Sequence, residues 1–456
     1  ASRLLILAAS GNLRAIVTGL VLTLVAQSAL RGALSPARES IARPEKQAAL
    51  SVLAAERPCP AVGMRRSYGD ACLNDGGSTV TTTRLDRLLS FDEATGVLEV
   101  ESGATLGDIA RVFAPRGWLP PVLPGTGFAT VGGAIAMDVH GKNHHNAGSF
   151  CQHVTDIKLI QGDTTRKITP ASGAVWKATC GGLGQTGIIA QATLQLTPCK
   201  GDMMLVTEQR ATDWDHHIAL LDQSDAPYCV GWIDATAKGS ALGRGIIEEG
   251  EVCRGLRPTA RGSKKVPLNA PHWALSSPIV KIFNAAYYRR VPKTGRTVVR
   301  TVQDFFFPLD KIHDWNKLYG KRGFHQFQCV VPLEQSRALR DMMQLIANSG
   351  LASPLAVLKR MGKGRAGYLS FPMEGYTLAV DFPNRLAARR LIAKLEAATL
   401  AAGGRLYLAK DALSTGPAIK SMYPEYPRWA DAAAKADPDG LLQTDMTRRL
   451  DLRTAQ

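Results

Sequence analysis

The run PGTGFATVGGAIAMDVHGKNHH, from Pro124 to His145, concentrates groups that can hold a charged ligand and move protons. Glycine lets the backbone approach an anion closely, and successive N–H groups can cradle phosphate without a lysine. Gly125, Thr130, Val131, Gly132 and Gly133 therefore read as a diphosphate cradle, and Met137, Asp138 and Val139 lead from it to His140 and Lys142. An imidazole and an ammonium group just past a phosphate cradle suggest proton handling near the reactive end of a diphosphate cofactor. An upstream segment, Gly63, Met64, Arg65, Arg66, Ser67, Tyr68, Gly69 and Asp70, offers the same glycine-and-hydroxyl chemistry. Either loop alone would pass as ordinary turn chemistry.

Elements must position these loops. Arg43 to Glu56 reads as an alanine-rich helix opened by Arg43-Pro44. Val97 to Glu101 alternates as a strand, Thr105 to Phe113 is helical, and Ile157 to Gln161 with Arg166 to Thr169 reads as a hairpin around Gly162-Asp163. This first half reads as a mixed α+β domain ending near Pro198. Gly182-Leu-Gly184-Gln-Thr-Gly187 has the dinucleotide spelling, but the residues after it alternate as a strand where a Rossmann unit needs a helix. A nicotinamide-binding Rossmann domain is therefore rejected. Downstream, Gln326 to Val331 and Tyr376 to Phe382 alternate as strands, and helices are expected over Leu333 to Ser349 and Ala387 to Ala402. The basic, proline-bearing stretch Arg254 to Arg300 reads most plainly as a solvated loop; contact with lipid headgroups or a prenyl phosphate is the functional alternative.

With 456 residues, 45% apolar and 21% charged, the chain has room for more than one core and is not disordered in composition. A net charge of +16 favours anionic partners. Its eight cysteines stand singly, without the spacing of a zinc site or a disulfide framework, so no metal is expected. The apolar stretch Ala15 to Ala26, preceded by Arg3 and Arg14, fits a signal peptide or an interfacial helix, and it is short for a spanning helix. A non-native start of the reading frame is a third option. The expected location is thus cytoplasmic or membrane-associated, with export if that segment is a signal.

The two loops, together with FHQFQCVVP, VLKRMG, YTLAVDFP, GGRLYLAKD and DMTRRL, resemble the vanillyl-alcohol-oxidase (PCMH-type) superfamily of FAD enzymes. Within it they are similar to the decaprenylphosphoryl-ribose 2'-oxidase family, from about Arg57 to the C-terminus. The resemblance implies an α+β fold in which a PCMH-type two-subdomain FAD-binding domain carries a sheet-plus-helix substrate domain. It divides the chain into an extension over 1–42, an FAD domain over 43–198, a substrate domain over 199–402 and a returning segment over 403–456. It further implies oxidation of a secondary sugar hydroxyl, with Lys410 as the essential active-site group and His140 as a proton shuttle. Ile189 and Tyr407 would lie beside the flavin, and Tyr68, Lys142, Trp232, Gln328 and Lys359 in the substrate pocket. The implied partners are a polyprenyl-phosphate pentose or another sugar, a separate NAD(P)H-dependent reductase and a peripheral membrane surface, with no nucleic acid. Two alternatives stand beside this reading: an aldonolactone or alditol oxidase of the same superfamily, and a non-catalytic membrane-associated binding protein.

The chain also departs from the family pattern. Arg65 stands where the family has a glycine, which puts loop shape and cofactor affinity in question, and Thr377 and Ala379 replace the asparagine and cysteine of the mycobacterial enzyme. The first loop has no histidine to tether the flavin, so non-covalent FAD is expected.

Overall fold

A computed structural model describes residues 37–255 and 262–453. The apolar stretch read as a signal or interfacial helix lies outside the described residues, as do Arg257 and Arg261 of the basic stretch.

The first body is built on an antiparallel sheet of five strands: β1 (Leu88–Asp92), β2 (Val97–Glu101), β3 (Val154–Gln161), β4 (Thr164–Ile168) and β5 (Ile188–Gln195), in the order β1-β2-β5-β3-β4. The alternation in VLEVE sends Leu98 and Val100 into the core, where they pack with Ile109, Phe113, Val131 and Ile135. Those partners come from helices α1 (Leu106–Phe113) and α2 (Val131–Ala136). Each begins at a threonine cap: the Thr105 hydroxyl accepts from the Asp108 N–H, and that of Thr130 from the Gly133 N–H. Helix α3 (Ala174–Thr179) precedes the glycine-rich turn, and β5 follows that turn, so no Rossmann helix forms there. A small parallel sheet of Ser40–Ala42, Ala61–Val62 and Ser78–Thr81 carries the first loop at its edge. The helix expected from Arg43 starts only at Gln47, because residues 43–45 lead out of the Ser40–Ala42 strand and Lys46 caps the helix in an extended conformation.

The second body is an eight-stranded antiparallel sheet, with β6 (Met203–Ala211), β7 (Tyr228–Ile233), β8 (Gly245–Cys253), β9 (Arg296–Thr301), β10 (Phe324–Val331), β11 (Ala356–Met361), β12 (Gly375–Pro383) and β13 (Arg405–Leu406). Their order is β9-β6-β8-β7-β11-β12-β10-β13. Helices α4 (Trp214–Gln223), α6 (Ser336–Ser349) and α7 (Leu386–Ala401) bury Trp214, Met342, Ile346 and Leu395 against one face, together with Phe327, Leu358 and Leu378. The alternate residues Gln328, Lys359 and Thr377 face the opposite side, towards the site. The solvated-loop reading of Arg254 to Arg300 is corrected here: helix α5 (Ser277–Arg289) and strand β9 occupy much of it. Helix α5 buries Val280 and Asn284 but leaves Ile282 and Phe283 exposed, so its apolar residues give no core-facing stripe to read.

After β13 the chain turns back to the first loop. The Tyr68 N–H donates to the Ala409 carbonyl at 2.9 Å, and Arg449 donates to both carboxylate oxygens of Asp70 at 2.7 and 2.8 Å. Helix α8 (Tyr426–Ala436) places Trp429 in the second core, beside Ala178 of α3.

Candidate active site

One cavity of about 930 Å3 runs between the two bodies. Its wall takes in both glycine loops, the inward faces of β7, β10, β11 and β12, and the Tyr407–Lys410 turn. Most of the residues expected from the sequence meet there. Gly63 to Tyr68, Gly125, Thr130, Gly132, Gly133, Met137, Val139, His140, Lys142, Ile189, Trp232, Gln328, Lys359, Tyr407 and Lys410 all line it. Four do not. Val131 is fully buried in the core, and Gly69 packs so tightly that an added Cβ would lie 1.7 Å from the Asp411 carbonyl oxygen. Asp70 is committed to Arg449. The Asp138 carboxylate accepts from Ser149, Cys151, Ala366 and Ser370 and so braces the turn before His140 from behind.

The loop residues fit a diphosphate. The backbone N–H groups of Met64 and Arg65 find no partner among the described residues, which leaves donors for phosphoryl oxygens. Arg65 keeps the shape a glycine would give: its φ is 51°, in the left-handed region. Its guanidinium is drawn off to the Glu39 carboxylate at 2.6 Å, the Cys72 carbonyl at 2.5 Å and the Thr79 hydroxyl at 3.1 Å. Arg66 instead lies over the Phe128 ring at 4.6 Å and ties the two loops together.

At the other end of the cavity the groups are basic. His140 is buried, its Nε2 is 3.2 Å from Gln328 Nε2, and its ring packs on Tyr407 and Phe371. Burial first, then the Lys359, His144 and Lys410 charges, hold the imidazole well below its usual pKa. The ring is therefore neutral at physiological pH, and Nε2 accepts from the Gln328 amide. Gln328 also donates to the Thr377 hydroxyl at 3.2 Å. Desolvation, reinforced by Lys142, brings the Lys359 amine down to about 7, and desolvation brings Lys142 to about 8. Lys359 donates to the Gly141 carbonyl at 3.3 Å, and Lys142 lies 3.9 Å above the Phe305 ring. The Lys410 ammonium sits 3.6 Å over the Tyr68 ring.

Sequence reasoning missed Asp310 behind the second loop and the convergence of three arginines on the cavity wall. Asp310 accepts from the Thr126 hydroxyl at 2.8 Å and from the Gly127 N–H at 2.7 Å and so fixes the second loop from a distant segment. Arg290, Arg296 and Arg300 line the wall beyond Trp232. Their type was visible as a basic run, but their convergence depends on sheet register. Gly184 and Gly187 of the rejected dinucleotide spelling line the wall as turn residues.

Comparison with known proteins defines the class first: the FAD binding domain family matches residues 42–169, and this chain is an FAD-dependent oxidoreductase. It is 37% identical to decaprenylphosphoryl-beta-D-ribose oxidase of Mycolicibacterium smegmatis, over 86% of this chain and 88% of that protein, and it belongs to that oxidase family. A Streptomyces coelicolor protein from the mprA 5' region is 31% identical over 76% of this chain and its own full length. L-gulono-1,4-lactone dehydrogenase of Mycobacterium tuberculosis is 23% identical over 91% of this chain and 96% of that protein.

Proposed function

We propose that the enzyme oxidises the 2'-hydroxyl of a polyprenyl-phosphate pentose to a ketone, the first half of an epimerisation that a separate NAD(P)H-dependent reductase completes. The observation that carries this reading is one cavity lined by the two glycine loops at one end and by a chamber of lysines, His140 and Gln328 at the other. The name of the Mycolicibacterium relative supports the same substrate class.

Bound FAD would supply the hydride acceptor for oxidation at the carbinol carbon. In this reading the chain's own residues position the sugar and take the hydroxyl proton. Tyr68 and Trp232 wall the sugar, and Gln328 and Lys359 hold its hydroxyls. Lys410, held over Tyr68, stabilises developing negative charge or takes the proton, and neutral His140 relays it. Lys142 meets the substrate's phosphate in this reading. The cofactor is held non-covalently by residues 43–198 together with the returning segment 403–456, while 199–402 hold the substrate.

We also infer peripheral contact with an anionic bilayer through helix α5. Ile282 and Phe283 are exposed there, near the exposed Trp273, with Lys281, Arg289 and Lys293 around them. No helix among the described residues is long and apolar enough to cross a membrane.

Anaerobic mixing of FAD-loaded protein with farnesylphosphoryl-β-D-ribofuranose should bleach the flavin and yield the 2'-keto sugar. Bleaching by L-gulono-1,4-lactone alone would favour the lactone-oxidase reading and overturn this one.

A further inference from the structure

Beyond Trp232 the cavity wall is made of charge. Glu208 on β6 and Glu248 on β8 stand directly opposite each other in the sheet register, and the Glu208 side chain is withdrawn from solvent. Like charges so placed repel, and burying them adds a desolvation cost. Three guanidiniums offset both effects. Arg290 donates to Glu208 at 2.6 Å and to Glu248 at 3.1 Å. Arg296 donates to Glu208 at 2.5 Å, and Arg300 reaches Glu208 at 2.5 Å and Glu248 at 3.2 Å. Burial alone would raise the Glu208 pKa, but the arginines hold it at about 2, so this carboxylate is a permanent anion at physiological pH.

Neutralising two carboxylates needs two arginines, and a third is present. Its surplus charge comes with unused donors, since neither Nη of Arg296 has a partner among the described residues. All three arginines line the cavity. The cluster also adjoins the chamber described above, because Arg290 lies 4.4 Å over the Tyr287 ring and Tyr287 packs on Trp232 at 4.7 Å. A carboxylate platform that fixes guanidiniums at a cavity wall creates a preorganised anion site, since their orientation is set before ligand arrives. It stands on β6, β8, β9 and the end of α5, elements separate from the loops that suit the cofactor's diphosphate.

We propose that Arg290, Arg296 and Arg300 form a phosphate subsite that grips the phosphoryl oxygens of a glycosyl phosphate substrate, with Glu208 and Glu248 as positioning residues. The proposal rests on the reading that the substrate carries a phosphate next to its sugar, and its test is chosen to separate the two.

Calorimetric titration of the FAD-loaded protein with farnesyl phosphate, which has no sugar to oxidise, reads the subsite directly. The parent should bind it, with affinity falling as salt rises. Arg296→Gln should weaken that binding by about 10-fold or more, the scale of one charge-assisted contact, and leave binding of uncharged farnesol unchanged. A double variant, Arg300→Gln with Glu248→Gln, removes one charge of each sign and decides the matter if the single variant fails to fold. Failure of the parent to bind farnesyl phosphate would overturn the subsite. So would binding within about threefold of the parent in folded variants, or an equal loss for farnesol. If the parent binds farnesyl phosphate but no phosphoryl pentose bleaches its flavin, the subsite stands and the sugar-oxidase reading falls.

Discussion

Three side chains bear the sharpest tests at the residue scale. Lys410→Ala should keep the fold and most of the FAD affinity, because the cradle lies on other segments, yet slow flavin reduction by substrate at least about 100-fold. Single-turnover bleaching of FAD-saturated samples checks this, and a parental rate would remove Lys410 from the chemistry. Arg65, standing where the family pattern has a glycine, answers the question of loop shape and sets a second test. The left-handed backbone would indeed relax in Arg65→Gly, but the Glu39 carboxylate would lose its guanidinium while still fully buried. The expected outcome is FAD affinity near the parent's with a lower melting temperature, since an uncompensated buried charge costs more than one strained φ. Lys359 makes a prediction about pH. Its amine titrates near 7 in the fold against about 10.4 in an unfolded chain, so between those values the unfolded state binds a proton that the native state does not. Native stability therefore rises with pH across that window. Lys359→Met should be more stable than the parent below pH 7, and the gap in melting temperature should close as pH approaches about 10.

Period-two patterning made the cavity-facing strands legible at the scale of the element. In FHQFQCVV the alternation separates Gln326 and Gln328, which face the site, from Phe327 and Cys329, which face the core. The helix after Thr105, the hairpin at Gly162 and the helices α6 and α7 were readable for the same reason: each carries its signal in neighbouring residues. Helix α5 was not, because Ile279, Ile282 and Phe283 point outward and its buried Asn284 is held by Asp234 at 2.7 Å rather than by a hydrophobic stripe. That outward face sets the test for membrane contact. Ile282→Asp with Phe283→Asp should abolish co-flotation with phosphatidylglycerol vesicles and leave oxidation of a soluble farnesylphosphoryl substrate near the parental rate. Undiminished flotation of the double variant would remove α5 from the contact.

Across the whole molecule, the site depends on residues far apart in sequence, which is where reading the chain in order stopped. The glycine loops were visible as local motifs, whereas the partnership of Thr126 with Asp310, or of Glu208 with three arginines, exists only once the sheets have formed. The absence of a histidine in the first loop remained readable and carries over to the assembled protein: acid denaturation should release free FAD into the supernatant, and flavin fluorescence retained on the polypeptide in a denaturing gel would contradict it. Arg449 is the clasp between the two ends of the described chain, holding Asp70, Asp411 and the Ser414 carbonyl. Arg449→Met should cost roughly 2 kcal/mol or more in unfolding free energy, measured by denaturant titration, because it strands partly buried carboxylates. The return of the chain to its first loop also sets a timetable for biosynthesis. Tyr68 is anchored by Ala409 and Asp70 by Arg449, so until the segment over 403–456 has left the ribosome the nascent chain has a cradle without its back wall. Flavin loading must then follow the emergence of that segment, and messages truncated anywhere before Lys410 would yield chains lacking both the clasp and the lysine.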